Sequence, residues 1–416
     1  MATSDENTAR SQALVWPRAG GPLTALIIIS GSHAVIHAYS TLMPLIYPLA
    51  LTDLHFSVVA LGIMVALSSL AGGMLQLGAG ALTRVIQRHS LIGWGAIAMG
   101  LAGAMTATAG TFAQFFAGNL LRSVATSTQH PVGNSLLTDL YERGRRGVAI
   151  SGHVAGGNLG TVFLTPLAGL LLNAWGWRNA LLLLTIPATI AGVAVVVLIH
   201  ERARPARAGT PLADMIESLR MVRRSWTLSM IFLASLIAAG GRGLGVVILV
   251  VPLYLKLHLR LSNGYVTVLY SVLLLGSVAG PLIGGPLSDR IGRRLLLLIA
   301  YPLSAVMTLL VLLVPASGPW LPLALAAMGL VVYVESPILQ AFLADEAPAA
   351  QRDAIFSLYF AVAFGVGALW AAVVGAMIGP FGFGFVFLTM ASTYLLAGLC
   401  VLAIRAVTAS SVAMRE

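Results

Sequence analysis

The chain has 416 residues, of which 58% are hydrophobic and only 9% charged, and its mean hydropathy is +0.92. A soluble domain carries about 25% charged residues, so the composition excludes one and calls for an integral membrane protein. The formal net charge of +10 does not point to nucleic acid, because the basic residues fall in short stretches between apolar runs, where they control topology.

The apolar runs are about twenty residues long, which reads as helices rather than as the alternating ten-residue strands of a barrel. Cys400 is the single cysteine, so a disulfide within the chain and any multi-cysteine metal site are excluded. Residues 1–22 read as a polar tail leading into an apolar run too long for the core of a cleavable signal. Twelve spans are predicted: 23–49, 57–80, 90–109, 111–138, 147–172, 178–199, 227–255, 264–284, 293–314, 320–344, 353–378 and 381–405. Each has about the length needed to cross ~30 Å of hydrocarbon.

The longest stretch between spans is 201–226. It opens on Arg202, Arg204, Pro205 and Arg207, and Pro211 to Arg220 then has the pattern of an amphipathic helix lying along the membrane surface. The expected organisation is an N-terminal six-helix bundle over 23–200, this linker, a second six-helix bundle over 227–405 and a tail over 406–416. Orientation follows from charge. With the N-terminus in the cytoplasm, nineteen arginines face inward, and only Arg178, Lys256 and Arg260 face outward. Both termini and the linker are therefore expected in the cytoplasm.

The most informative stretch lies between spans eight and nine. Gly284 to Arg294 places Asp289, Arg290, Arg293 and Arg294 together, too much charge for hydrocarbon, so a tight loop at a membrane face is predicted. Gly285 and Gly292 let the backbone turn, and Asp289 can pair with a loop arginine or sit at a helix N-terminus. The stretch Gly80 to His89 lies 205 positions earlier and keeps the glycine, leucine, isoleucine and first paired arginine. His130-Pro131 with Asp139, Arg146 and Ser151 matches Ser336-Pro337 with Asp345, Arg352 and Ser357 at an offset of 206. Near-equal offsets at two places indicate a duplicated six-span unit. In the first copy Arg84 stands where Asp289 does.

The pattern G-x-L-x-D-R-x-G-R-R over Gly285 to Arg294 resembles the loop motif of the major facilitator superfamily of secondary transporters. Further residues are similar to the fosmidomycin resistance protein group within it: Ser32-His33, Pro44 to Pro48, His130-Pro131, Arg146 to Ala149, and Gly156 to Gly160 with Pro166. The resemblance implies an all-α membrane protein of two pseudo-symmetric six-helix bundles, with spans one, four, seven and ten lining a central cavity. It also implies alternating access, a bacterial inner-membrane location and gating by Gly285, Asp289, Arg290, Gly292, Arg293 and Arg294. The expected activity is proton-coupled export of a small compound or drug, small anions included; the alternative is a proton-coupled uptake symporter for a small organic anion. The expected partners are the substrate, protons and the lipid bilayer, with the chain acting as a monomer. Enzyme activity is not expected, since no phosphate-cradling glycine loop, HExxH or nucleophile–base pair is found, and no cofactor is expected.

Polar groups inside hydrocarbon cost several kcal/mol unless they face water or one another. The ionisable residues well inside spans are His33, His37, Arg122, His130, His153, Arg242 and Glu335. His33 and His37 are four apart, on one helix face. They read as substrate or proton ligands, as structural hydrogen-bonding groups, or as two parts of a metal site whose third ligand is not near in sequence. Asn119, Arg122, Thr126, Gln129 and Gly133 form a stripe with His130 beside it. Arg122 binds an anionic group through its planar fork or is tied to a partner helix. Arg242, flanked by glycines that open space around its guanidinium, is a second candidate, and Asn158 a third. Glu335, the sole acid deep in a span, suits a group that loads and releases a proton; the alternative is a permanent ion pair with Arg122 or Arg242. The glycines of span five, 152, 156, 157, 160 and 169, read as tight packing or as a weakened antiporter motif.

Overall fold

Ser57, Thr111, Ser225 and Ser262 each sit at the polar boundary of an apolar run, and each starts a helix. Their side chains accept hydrogen bonds from the backbone N–H three residues on, at 3.1–3.3 Å, which satisfies an orphan donor of the first turn. The computed structural model describes residues 15–17, 21–201 and 211–404. The rest of both tails and the linker residues 202–210, Arg202, Arg204, Pro205 and Arg207 among them, lie outside the described residues.

The described chain is almost wholly helical and falls into two compact units. The first comprises Met1–Ser218 with Pro348–Gly365, and the second Leu219–Ala347 with Val366–Glu416. In the first unit the helices are α1 (Pro22–Asp53), α2 (Val58–Leu82), α3 (Arg88–Ala107), α4 (Phe112–Thr126), α5 (Gln129–Leu140) and α6 (Arg146–Leu198). A two-stranded antiparallel ribbon pairs β1 (Val15–Pro17) with β2 (Ile199–Glu201), so part of the predicted tail is strand. The amphipathic linker helix α7 (Pro211–Arg224) meets α8 (Trp226–Ala238) at 97°, and Arg84 pairs with its Asp214 at 3.0 Å. The second unit continues with α9 (Ile248–Leu253), flanked by π-helical turns, then α10 (Asn263–Ile291), α11 (Arg293–Leu313), α12 (Trp320–Val332) and α13 (Glu335–Glu346). The last helix, α14 (Arg352–Ala403), starts in the first unit and continues in the second.

Among the described residues eight helical stretches are long and apolar enough to cross a membrane, or nine if α7 and α8 form one bent span. The predicted spans 111–138, 227–255 and 320–344 are each helical but broken inside. Breaks fall at Ser127–Thr128 and at Tyr333–Val334, positions 206 apart in the duplication. Two long helices also kink at glycines 206 apart, Gly176 (φ +71°) in Trp175-Gly176-Trp177 and Gly382 (φ +74°) in Phe381-Gly382-Phe383. Only glycine takes that left-handed backbone without steric cost, so the internal repeat extends to backbone geometry.

In the first unit the core is packed around Tyr39, Met43, Ile46, Phe115 and Trp177 toward one end, and around Ile29, Leu136, Leu137 and Val195 toward the other. The helix exteriors are apolar as well. Leu101, Ile190, Leu303 and Leu313 are exposed, as expected of surfaces that meet lipid rather than water.

Candidate functional site

The glycines of the fifth predicted span set the geometry of the first unit. A Cβ at Gly156 would lie 2.7 Å from Ser30 Cβ, one at Gly157 would lie 2.5 Å from His33 Nδ1, and one at Gly160 would overlap the Ala34 carbonyl. Without side chains there, α6 lies directly on α1, the close approach that small residues permit. His153 is three and four residues before Gly156 and Gly157, hence on the same helix face, and it stacks on His33 with ring centroids 4.4 Å apart. His37 and His130 meet His33 edge-on at 4.5 and 4.7 Å. His130 is placed by the second residue of α5, just past the break at Ser127–Thr128, and packs on Phe360 and Phe364. Four histidines from α1, α5 and α6 thus form one cluster. The sequence placed His33 and His37 on one face and His130 beside the Arg122 stripe, and gave His153 no role. The readable signal was its register with the glycine stripe.

Arg122 projects from α4 with its guanidinium 5.9 Å from the Tyr39 ring centroid, a cation–π contact. Its buried Nε has no hydrogen-bond partner, and among the described residues no carboxylate pairs with it. Asn119 donates to the Phe115 carbonyl at 3.0 Å while its own Oδ1 is left without a partner. Gln129 donates to the Ile29 carbonyl at 3.4 Å. Asn158 is buried, one residue from Gly157.

Arg242 is in the opposite state. It lies in the break after α8, where Nε donates to Glu335 Oε1 at 3.0 Å and Nη2 donates to the Ser235 carbonyl and hydroxyl at 3.0 and 2.9 Å. Tyr301 donates to Glu335 Oε2 at 3.1 Å. Glu335 is fully buried and is the first residue of α13, where the helix dipole favours a carboxylate. Of the two arginines considered for this acid, the fold uses Arg242. The glycines beside Arg242 do not leave open space, contrary to the sequence expectation. Gly240, Gly241 and Gly243 are each covered by an aromatic ring, those of Trp370, Tyr394 and Tyr333, and Tyr394 donates to the Gly241 carbonyl. Their missing side chains admit rings against an irregular backbone whose polar groups would otherwise be bare.

The stretch predicted as a loop is mostly helix. α10 runs to Ile291, and Gly292 (φ +92°) alone separates it from α11. The expected pairing of Asp289 with a nearby arginine is present: Arg293 bonds Asp289 at 2.5 Å, Asp345 at 3.1 Å and the Ser288 hydroxyl at 2.6 Å. Arg294 donates to the carbonyls of Ile404 and Leu402, and Arg290 is exposed. The first copy has the matching pair, Arg88 with Asp139 at 2.8 Å. Where Asp289 has no counterpart, the acid comes from elsewhere in the first unit. Asp353 lies 3.6 Å from Arg88, accepts from Thr83 at 3.2 Å and from Ser135, and the adjacent Arg352 bonds Asp139. Burial lowers the Arg352 pKa, opposed by Asp139.

The family profile of the Major Facilitator Superfamily matches residues 29–244 and 231–413. The fosmidomycin resistance protein of Escherichia coli (strain K12) is 26% identical over 355 residues, which cover 83% of this chain and 84% of that one. Among solved structures, the E. coli fucose:proton symporter superposes with a TM-score of 0.74 at 11% identity, covering 92% of this chain and 99% of the other. A human organic anion transporter superposes with a TM-score of 0.71 at 17% identity, covering 91% and 98%. At these identities the superpositions establish a shared fold.

Proposed function

The chain belongs to the Major Facilitator Superfamily, and on that premise we propose that it is a secondary active transporter working by alternating access, exporting a small anionic compound in exchange for protons. The family consists of multi-pass membrane transporters rather than enzymes, so a bilayer and a small-molecule substrate are its partners. In this reading the chain is a monomer with twelve spans and both termini in the cytoplasm of a bacterium, set in the inner membrane.

The observation that carries the reading is the contrast between the two membrane-embedded arginines. Arg242 is neutralised by Glu335, whereas Arg122 has a buried Nε without a hydrogen-bond partner. A guanidinium with no carboxylate partner is costly in hydrocarbon, and an anionic substrate offers it the bidentate charged partner that Tyr39 and Tyr47 do not supply. Asn119, one turn before Arg122 on α4, supplies a neutral polar group beside it; Gln129 lies past the break, on α5, so the predicted stripe is interrupted. Glu335 is the proposed proton site. When ionised it balances Arg242 and accepts from Tyr301. When protonated it leaves Arg242 a net cation, with Ser235, Tyr301 and Tyr394 around it. Substrate and proton then bias one conformational equilibrium from two places. Asp289 and Arg293, with the matching Arg88 cluster, are the proposed gating elements. The name of the E. coli relative favours efflux, while the uptake alternative differs in the sign of the gradient it uses.

The test uses proteoliposomes carrying a pH-sensitive dye and a panel of anionic compounds that includes fosmidomycin. At least one anion should move protons in the opposite direction. Arg122→Lys keeps the charge but loses the planar fork, so its apparent affinity for that anion should fall at least about tenfold, a loss of roughly 1.4 kcal/mol. No proton movement with any anion, or unchanged affinity in the variant, overturns the reading.

A further inference from the structure

A backbone carbonyl can only accept a hydrogen bond. His33 Nδ1 lies 3.3 Å from the His153 carbonyl, so in the neutral ring Nδ1 carries the proton and Nε2 carries the lone pair. That Nε2 is buried and has no hydrogen-bond partner, and His33 is only 1% exposed. A lone pair held in this way, with the other ring nitrogen donating to a carbonyl, is the arrangement of a metal-ligating histidine. His37 repeats it in part, with its Nδ1 3.4 Å from the Thr161 hydroxyl, and His153 has its Nδ1 3.4 Å from Ser30 Oγ and an unpartnered Nε2.

The available ring nitrogens of His33, His37 and His130 all lie within 4.8 Å of one another. A tetrahedral ion with metal–nitrogen bonds of about 2.0–2.1 Å needs its ligand atoms roughly 3.3 Å apart. Rotation of the rings by about an ångström each closes that gap. His33 is buried, whereas His37 and His130 are partly exposed, which gives an entry path on one side. We propose that His33, His37 and His130 bind one divalent first-row transition-metal ion, with His153 as the packing partner that fixes the His33 ring and a fourth coordination position left open. Three neutral imidazoles with no carboxylate in the group select zinc, cobalt, nickel or copper over magnesium and calcium, which require oxygen ligands.

The bland alternative is four histidines that merely pack against one another. It leaves two buried imidazole nitrogens without partners, each at a cost of about 1–3 kcal/mol. A metal uses one of them directly.

Binding is measured without a gradient or transport, so the result stands apart from the exporter reading. Full-length protein without a polyhistidine tag is purified in detergent and titrated with Zn2+, and with Mg2+ as control, by calorimetry. Co2+ is then used as a visible-absorption probe of the ligand field. The expected result is one Zn2+ per chain, Co2+ bands of a low-coordinate nitrogen site, and no Mg2+ binding. His33→Gln and His130→Gln should each weaken Zn2+ binding at least about tenfold and remove the Co2+ bands. His89→Gln and His200→Gln, in a separate stacked pair, should change neither. If a cluster variant does not fold, His37→Gln, at a partly exposed ligand, carries the same test. Absence of stoichiometric Zn2+ binding to the wild-type chain, or binding that survives loss of these ligands, overturns the proposal.

Discussion

Replacing Glu335 by glutamine removes one charge and keeps nearly the same shape. In the wild-type chain the fully buried carboxylate accepts from Arg242 and from Tyr301 on different oxygens. The glutamine carbonyl can still accept from Arg242, but its amide is a donor and must meet the Tyr301 hydroxyl in the reverse sense. Breaking a buried ion pair costs about 3–5 kcal/mol. Arg242 is 16% exposed and keeps both bonds to Ser235, so the expected destabilisation falls just below that range, at about 2–3 kcal/mol. Arg242→Gln should cost a similar amount, since it strands the acid. The double variant should cost well under the sum, because neither charge is then left alone; a coupling of at least about 1.5 kcal/mol is expected. Denaturation of purified protein in mixed micelles reads all four corners of the cycle. Substrate affinity against pH is the functional arm. Glu335→Gln should bind substrate, flatten the pH dependence seen in the wild type and abolish proton-driven net transport. Additive stabilities would refute the pair as a unit, and equal pH slopes would refute Glu335 as the coupling group.

Asp289→Asn should cut transport strongly while the thermal midpoint of the purified protein moves little, because Arg293 keeps Asp345 and Ser288. Arg84→Ala should reduce transport less, and equal losses would remove the distinction between the two copies. Asp353→Asn should destabilise the first unit by about 1–3 kcal/mol, since Arg88 retains Asp139 while a nearly buried acid is lost; a midpoint matching the wild type would remove Asp353 from the cluster. Gly157→Ala puts a methyl 2.5 Å from His33 Nδ1 and should destabilise by about 1–3 kcal/mol, read as a lowered thermal midpoint. An unchanged midpoint would mean α1 and α6 do not pack as closely as the structure has them.

The membrane class, the helical segments and the duplication were legible because they depend on local composition and period. Twenty apolar residues in a row have few alternatives to a spanning helix, and a repeat is visible in any linear comparison. The Asp289–Arg293 pair was legible for the same reason, its members being four residues apart in one short charged stretch, although the turn at Gly292 lies between them. The break inside the tenth predicted span also had a local signal: Pro337 lies four residues after Tyr333, as Pro131 lies four after Ser127, and a proline offers no N–H to the carbonyl four residues back and crowds it. The freed backbone groups persist only where neighbouring helices give them partners.

The partners of the buried charges depend on tertiary packing. Glu335 could have met either arginine, and Arg242 is separated from it by 93 positions; only the packing of α13 and the break after α8 selects it. The acid that Arg84 displaced was untraceable from its own loop, because Asp353 is about 270 residues away from that neighbourhood. The histidine cluster makes the point most fully. His33 and His37 share a face by helical period alone, but His130 and His153 join them only because glycines bring α6 onto α1 and a helix break turns α5 toward both. Helical period acts over a turn or two, whereas this cluster is assembled across α1, α5 and α6, so imidazoles from three parts of the chain meet only in the folded molecule.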